Sequence, residues 1–230
     1  ICLGDGDNAI RHILERMEQG RDFRDIPNIA TLEQPDFQKE VVENLDDLPP
    51  LDRKIFYDAA PDLQKVGLRG FLTQRGCPYK CTYCFNHAYN MMFKGEGRKL
   101  MRRRSVDHLF EEIKHVQKEF APLRFIRFAD DVFAVRKDEW LEEFTERYPR
   151  EIGIPFYCLI RASGLDDEVA EMLAKAGCKS VAMSIEAGTD HLRNVVLKRN
   201  MPEEMMVEAF NTARRHGIVA HANSMMGLPG

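Results

Sequence analysis

The chain has 230 residues, 44% hydrophobic and 30% charged, with a net charge of −4 at pH 7. That balance suits one or two domains with a sizeable core, excludes a disordered or fibrous chain, and argues against the broad basic face of a non-specific nucleic-acid binder. No run of ~18 apolar residues and no charged-then-apolar leader is present, so neither a membrane span nor a secretory signal is expected, and the cytoplasm is the default location.

In chain order, the first predicted element is a helix over residues 8–19, where Ile10, Ile13, Leu14 and Met17 recur at helical spacing and Gly20 offers a stop. Residues 25–66 carry DIPNI, EQPDF and DDLPPLD without sustained periodicity. They read as an extended linker draped over a surface, with a domain boundary inside it. From residue 67 a rhythm sets in. The apolar run GLRGFLTQ leads into a cysteine-bearing loop and then VDHLFEEIKHVQKEF at helical spacing, with Ser105 as its N-cap. LRFIRFADDVFAV precedes the helical KDEWLEEFTERY, and PFYCLIRA precedes DDEVAEMLAKAG. KSVAMSIEAG precedes TDHLRNVV and PEEMMVEAFNTARRHG, and IVAHANSMMG follows. Five strand-like runs, four of them followed by helices, imply right-handed crossovers and an α/β fold with a parallel sheet covered by helices. Gly177 and Gly217 sit where left-handed C-caps would end two of those helices. Sequence order does not separate an open sheet from a barrel. In both, ligands gather at the C-terminal edge of the strands, where the cysteine loop lies.

Three of the six cysteines, Cys77, Cys81 and Cys84, fall within GCPYKCTYCFNH. Six in a chain of this length are too few and too clustered for a disulfide framework, and closely spaced thiols in a reducing compartment bind metal or do redox chemistry. The spacing CxxxCxxC lets a short loop present three thiolates to one metal centre. Two centres answer to it: zinc, with His87 as the fourth ligand, or an iron–sulfur cluster with one iron left open for a small ligand. Cys2, Cys158 and Cys178 read as small buried residues. Arg102–Arg104 reads as a solvated helix entrance rather than a phosphate site. His216 and His221 flank the last strand without a partner spacing, and the methionines of MPEEMMVEAF pack.

The CxxxCxxC spacing after a first strand, with Tyr83 directly before the last cysteine, resembles the signature of the radical S-adenosylmethionine (SAM) superfamily over about residues 67–230. The resemblance implies an enzyme with a partial TIM-like (β/α) barrel of about five β/α units. It also implies a 4Fe–4S cluster on Cys77, Cys81 and Cys84. In that family the open iron chelates the methionyl group of SAM, and an electron from the cluster breaks a C–S bond. The resulting 5′-deoxyadenosyl radical takes a substrate hydrogen inside an enclosing lumen. An electron donor such as flavodoxin or ferredoxin and a small-molecule substrate are the partners implied. By the same resemblance SAM is contacted by Tyr83, Phe85, Asp130, Arg161, Ser184, Glu186 and Arg199. Glu186 would meet the ribose hydroxyls, or else serve as a helix N-terminal acid. Arg199 would meet the methionyl carboxylate, with Arg161 as second candidate and a surface arginine as the alternative for each. Asp130 would meet the methionyl amine largely through backbone oxygen. The family's Gly-Gly-Glu is here Ala129–Asp130–Asp131, however, and that carboxylate pair could simply cap the next helix.

ICLGDGDNAIRHILERMEQGRDFRDIPNIA further resembles the closing strand, turn and helix of a cobalamin-binding domain, and DDLPPLDR the connector that follows it in one large subfamily. The expected organisation is residues 1–24 as the C-terminal remnant of a Rossmann-like cobalamin-binding domain, 25–66 as linker, and 67–230 as a radical SAM core truncated at its C-terminal end. No DxHxxG motif is present, so cobalamin is a cofactor by resemblance alone. The first reading is a cobalamin-dependent methyltransferase or a related cyclisation or rearrangement. A radical methylthiotransferase, which needs a further cysteine-bearing N-terminal domain, is second. A zinc-stabilised binding module is the reading from another class. The start without methionine and the ending MMGLPG lead to the expectation of a piece of a longer protein.

Overall fold

Period-two alternation over Phe125–Phe128, Phe156–Leu159 and Cys178–Glu186 turns Ile126, Phe128, Phe156, Cys158, Val181 and Met183 to one face, and this sorts the sheet. The computed structural model describes residues 1–93 and 101–228. Its first helices are α1 (Asp7–Glu18), α2 (Lys54–Ala59) and α3 (Asp62–Lys65), followed by β1 (Leu68–Phe71), β2 (Gln74–Arg75), α4 (Phe85–Met92) and β3 (Arg102–Arg103). Then come α5 (Val106–Glu119), β4 (Phe125–Phe128), α6 (Glu139–Glu151), β5 (Phe156–Leu159), α7 (Asp167–Ala176), β6 (Cys178–Glu186), α8 (Glu203–Arg215) and β7 (Val219–Ser224).

The main sheet has the order β1-β4-β5-β6-β7, with every neighbouring pair parallel. Because spatial order follows chain order without reversal, successive right-handed crossovers leave all the helices on one face. The other face is concave, and the result is the wall of a partial (β/α) barrel with β1 and β7 at its edges. On the helix side Phe71, Ile126, Phe128, Phe156, Cys158, Val181 and Met183 share one core with Leu109, Phe110 and Ile113 of α5, Phe144 and Tyr148 of α6, and Leu173 of α7. Phe128 sits at its centre, with Phe133, Phe144 and Phe156 at ring separations of 5.1, 5.6 and 5.2 Å. Each such ring buries roughly 150–250 Å², so this aromatic block anchors the middle of the sheet.

The predicted N-cap is in place, Ser105 accepting from His108 N at 3.1 Å. Two caps that were not predicted join it: Asp138 accepts from Leu141 N at 2.9 Å, and Asp166 from Val169 N at 2.8 Å. Gly177 and Gly217 adopt φ of 98° and 70°. Asp138 thus caps α6, so the alternative in which Asp130 and Asp131 cap that helix does not hold.

Elsewhere the structure departs from the expectation. Residues 25–66 are not simply extended. They include α2 and α3, and they bury Ile26, Ile29, Val41, Val42, Leu45 and Tyr57. Arg53 from this segment donates to Gly70 O on the free edge of β1 at 2.8 Å and to Glu112 at 3.1 Å, which covers an otherwise unpaired strand edge. The Arg102–Arg104 run is not a solvated entrance either. Arg102 and Arg104 are buried because carboxylates reach them, Asp5 for Arg102 and Glu112 for Arg104. Arg102 and Arg103 form β3, which pairs antiparallel with β2. TDHLRNVV contains a π-helical turn over His191–Val196. Cys158 and Cys178 are buried as expected, but Cys2 is exposed, since the isolated bridge it makes with Ile29 leaves its side chain uncovered. No helix among the described residues is long and apolar enough to cross a membrane.

Candidate active site at the C-terminal sheet edge

The cysteine loop leaves the hairpin strand β2 and ends where Cys84 starts α4. Asn90 of that helix donates Nδ2 to Cys77 O at 2.9 Å, so the helix after the third cysteine holds the backbone of the first. Cys84 N donates to Cys81 O at 3.1 Å, and Asn86 Nδ2 lies 3.8 Å from Cys84 Sγ. All three thiols are free. The Cys77 thiol is pushed up by burial, with further contributions from the nearby Asp131, Cys84 and Cys81.

A single-ion site is not assembled there: among the described residues no group of three or more His, Cys, Asp or Glu side chains is placed to hold one metal ion. His87 lies on α4, its backbone N bonded to Cys84 O at 3.1 Å. A cuboidal cluster binds each thiolate to a different iron, which spreads the sulfurs more widely than the ligands of one ion. Three free thiols on one pinned loop, with an amide N–H directed at one sulfur, fit such a cluster.

The loop is also fastened to the segment beyond β6. Thr82 N donates to Leu197 O at 3.1 Å, and Thr82 Oγ1 donates to Val196 O at 2.9 Å. That segment is organised by Arg193, 1% exposed, which donates Nε to Met201 O and Nη1 to Ala187 O, each at 2.8 Å, and pairs with Asp190. Lys198 and Asn200 both have φ of 51°, and these two left-handed residues bracket Arg199.

At this junction Glu186, Arg199 and Tyr83 meet. Tyr83 Oη donates to Glu186 Oε1 at 2.8 Å and accepts from Arg199 Nη1. Arg199 Nη2 donates to Ser184 O at 2.7 Å, while its Nη1 is 3.4 Å from Glu186. Arg199 is 6% exposed and Glu186 9%, so neither fits its bland alternative of a surface arginine or a helix-start acid. Burial and the Glu186 hydrogen bond raise the Tyr83 phenol, which therefore stays protonated and serves as donor. Glu186 adopts φ of 66° at a register shift between β6 and β7. A non-glycine residue there stores strain of about 1–3 kcal/mol, and such outliers cluster at functional sites. Arg199 Nε is buried without a partner.

The remaining predicted residues are placed as follows. Arg161 stacks on Tyr79 of the cysteine loop, its guanidinium 3.9 Å from the ring centroid, and Nε is 3.0 Å from Met201 Sδ. It therefore borders the same junction. Ser184 contributes its carbonyl to Arg199, and its hydroxyl accepts from Asn223 at 3.4 Å. Phe85 is 72% exposed and touches Tyr89 at 5.8 Å, and it does not join the Glu186 group. Asp130 is 1% exposed, and its carboxylate accepts from Thr73 N at 2.7 Å, Gln74 N at 3.0 Å and Thr73 Oγ1 at 2.9 Å. Its side chain thus ties the end of β4 to the approach of the cysteine loop, leaving only its backbone for a ligand. Arg193, Tyr79 and Asn90 went unnoticed in the sequence. An arginine inside the short HLRNVV run between two strand-end motifs was the one available signal for Arg193.

Burial raises Asp130 from 3.8 to about 6. The folded state therefore holds this proton more tightly than the unfolded state. The associated stability is full below about pH 4 and is lost as pH rises through about 6. Of the total, roughly 1 kcal/mol is lost between pH 5 and 7, a few degrees of melting temperature for a domain of this size. Asp130→Asn should flatten that part of the pH profile, and an unchanged difference between melting curves at pH 5 and 7 would place the titration elsewhere.

Comparison with known proteins adds the following. A family profile described as the Radical SAM superfamily matches residues 71–230. An uncharacterized methyltransferase, PH0819, of Pyrococcus horikoshii is 24% identical over 237 residues, covering 100% of this chain and 49% of that protein. The cytidylyl-2-hydroxyethylphosphonate methyltransferase of Streptomyces wedmorensis is 28% identical over 160 residues, covering 68% of this chain and 28% of that protein. The chain thus spans half or less of the curated relatives it matches. Among solved structures, the cobalamin-dependent S-adenosylmethionine radical enzyme OxsB with aqua-cobalamin bound superposes with a TM-score of 0.81 at 17% identity, over 100% of this chain and 34% of that one. The methyltransferase TsrM of Kitasatospora setae, with cobalamin and a [4Fe-4S] cluster bound, gives 0.73 at 18% identity over 99% and 47%. These likenesses bear out the partial barrel.

Proposed function

The chain belongs to the radical SAM superfamily, and on that premise we propose that it forms the core of an enzyme that reductively cleaves SAM and uses the product to functionalise a small molecule. One observation carries this reading. The CxxxCxxC loop is hydrogen-bonded to the segment bearing Arg199, and through Tyr83 it meets a buried Glu186–Arg199 pair at the C-terminal sheet edge. When bound, a 4Fe–4S cluster supplies the electron that breaks the sulfonium C–S bond.

Cys77, Cys81 and Cys84 would hold the cluster. Glu186 offers carboxylate oxygens to the ribose hydroxyls of SAM. Arg199, whose Nε has no partner, takes the methionyl carboxylate. Arg161, stacked on the cysteine loop, is placed to share that role. The backbone carbonyl of Asp130 would accept from the amine, and Tyr83, Phe85 and Ser184 would line the rim. The concave face above which these groups lie excludes bystanders once the parent protein encloses it.

The parent is a cobalamin-dependent methyltransferase, with residues 1–24 as the end of its cobalamin domain, 25–66 as connector and 67–230 as the radical core. Two supports are the methyltransferase names of the relatives and the N-terminal turn fastened to the core. In that turn Asp5 binds Arg102, Val42 N and Tyr89 Oη, and Asp7 binds Arg75 at 2.6 Å. A flavodoxin- or ferredoxin-type donor and a cytoplasmic setting complete the proposal. The test uses the full-length parent, reconstituted without oxygen, reduced and supplied with SAM. 5′-Deoxyadenosine should form, and its absence from protein carrying an intact, reducible cluster would overturn the reading.

A further inference from the structure

Below the rim, the concave face of the sheet carries a row of Arg127, Tyr157 and His221 that the SAM-facing groups do not use. Ile126 and Phe128 belong to the helix-side core, so Arg127 between them stands on the opposite face. The same alternation puts Tyr157 and His221 there. Contacts agree: the Arg127 guanidinium is 5.9 Å from the Tyr157 ring centroid, and the Tyr157 and His221 rings are 6.4 Å apart. Register joins them, since Arg127 pairs with Tyr157, Tyr157 with Ser180, and His221 with Ala182.

The charge of Arg127 is not balanced. Stacking on Tyr157 is its one recorded contact among the described residues, and a ring does not neutralise a guanidinium. Of the strand residues on this face only Glu186 is acidic, and it is held at the rim by Arg199 and Tyr83. Space is available beside Arg127. Its neighbour on β1 is Gly70, where a Cβ would meet nothing closer than Arg127 O at 4.0 Å.

We infer that Arg127, stacked on Tyr157, receives an oxyanion group of the substrate, either a phosphonate or phosphate, or a carboxylate. A planar guanidinium matches such groups with two parallel hydrogen bonds. Along β4 Arg127 stands three residues before Asp130, about 10 Å of strand, and on β7 His221 stands three before Ser224, which pairs with Glu186. The anionic end is therefore held below the rim, and the substrate class is an acid whose transformed atom lies on the order of 10 Å from its oxyanion. This substrate assignment rests on the SAM-cleaving reading proposed above.

The test titrates full-length protein, without SAM or reductant, with methylphosphonate followed by phosphorus NMR and with acetate followed by carbon NMR. At least one probe should bind saturably. Arg127→Gln should weaken that binding about tenfold or more, and Arg127→Lys, which keeps charge but not the fork, should weaken it less. Binding of methylphosphonate alone assigns a tetrahedral oxyanion, and of acetate alone a carboxylate. Among the described residues neither substitution removes a hydrogen bond or an ion pair, so the variants should melt within a few degrees of wild type. No saturable binding of either probe to wild type, or equal affinity in Arg127→Gln, overturns the inference. Because neither arm involves SAM, a failed cleavage assay would remove the proposed function and leave these results unaffected.

Discussion

Full-length protein with Cys77, Cys81 and Cys84 all replaced by alanine, reconstituted and purified without oxygen, is expected to carry essentially no iron or sulfide, against about four irons per chain in the wild type. It should also lack the reduced-cluster EPR signal and form no 5′-deoxyadenosine. The effect is large because the three residues supply every thiolate the loop offers to the cluster. Loss of the cluster should not be loss of the fold. The loop is held by backbone and amide bonds, Asn90 to Cys77 O and Thr82 to Leu197 O and Val196 O, none of which uses a thiol. The apo forms of wild type and triple variant should therefore melt within a few degrees of each other, because of the three only Cys81 is buried. Retention of about four irons with an unchanged EPR signal would place the cluster on other residues. One zinc and no colour in the wild type would instead support the structural-metal alternative.

The elements that sequence reading captured are those whose signal is local. Apolar alternation marks the five main strands, and the caps Ser105, Gly177 and Gly217 mark helix ends, because each acts on backbone within four residues. What escaped depends on partners distant in sequence. Arg102 reads as a surface charge until Asp5, 97 residues away, is folded against it. β2 and β3 are two-residue strands on either side of the cysteine loop, too short for any period to register. Helix α4 starts directly at Cys84, so its first turn merges with the motif. The site divides the same way. The cysteines were legible from spacing, and Glu186 and Arg199 from resemblance. That Asp130 spends its carboxylate on residues 73 and 74 follows only from strand β4 lying beside β1.

Glu186→Gln is expected to weaken SAM binding by ~1–3 kcal/mol, between fivefold and about 150-fold in dissociation constant, measured by calorimetry on the reconstituted full-length protein. Two effects act together. The amide offers the ribose hydroxyls one neutral acceptor in place of two anionic oxygens. It also leaves the buried Arg199 guanidinium with Tyr83 Oη and Ser184 O but no counter-charge, so the free site is less ordered before SAM arrives. Glu186→Ala should lower the melting temperature more than the glutamine variant, because breaking a buried pair by removing one partner costs ~3–5 kcal/mol, whereas an isosteric amide keeps the hydrogen bond from Tyr83. Tyr83→Phe separates the two effects. It removes the bridging hydroxyl and leaves the Glu186–Arg199 charges in place at 3.4 Å, so SAM affinity should fall less than in either Glu186 variant. If the dissociation constant for SAM is the same in wild type and Glu186→Gln while the melting temperature drops, the Glu186–Arg199–Tyr83 group is a structural clamp between the cysteine loop and β6. Ribose recognition then lies on another part of the rim.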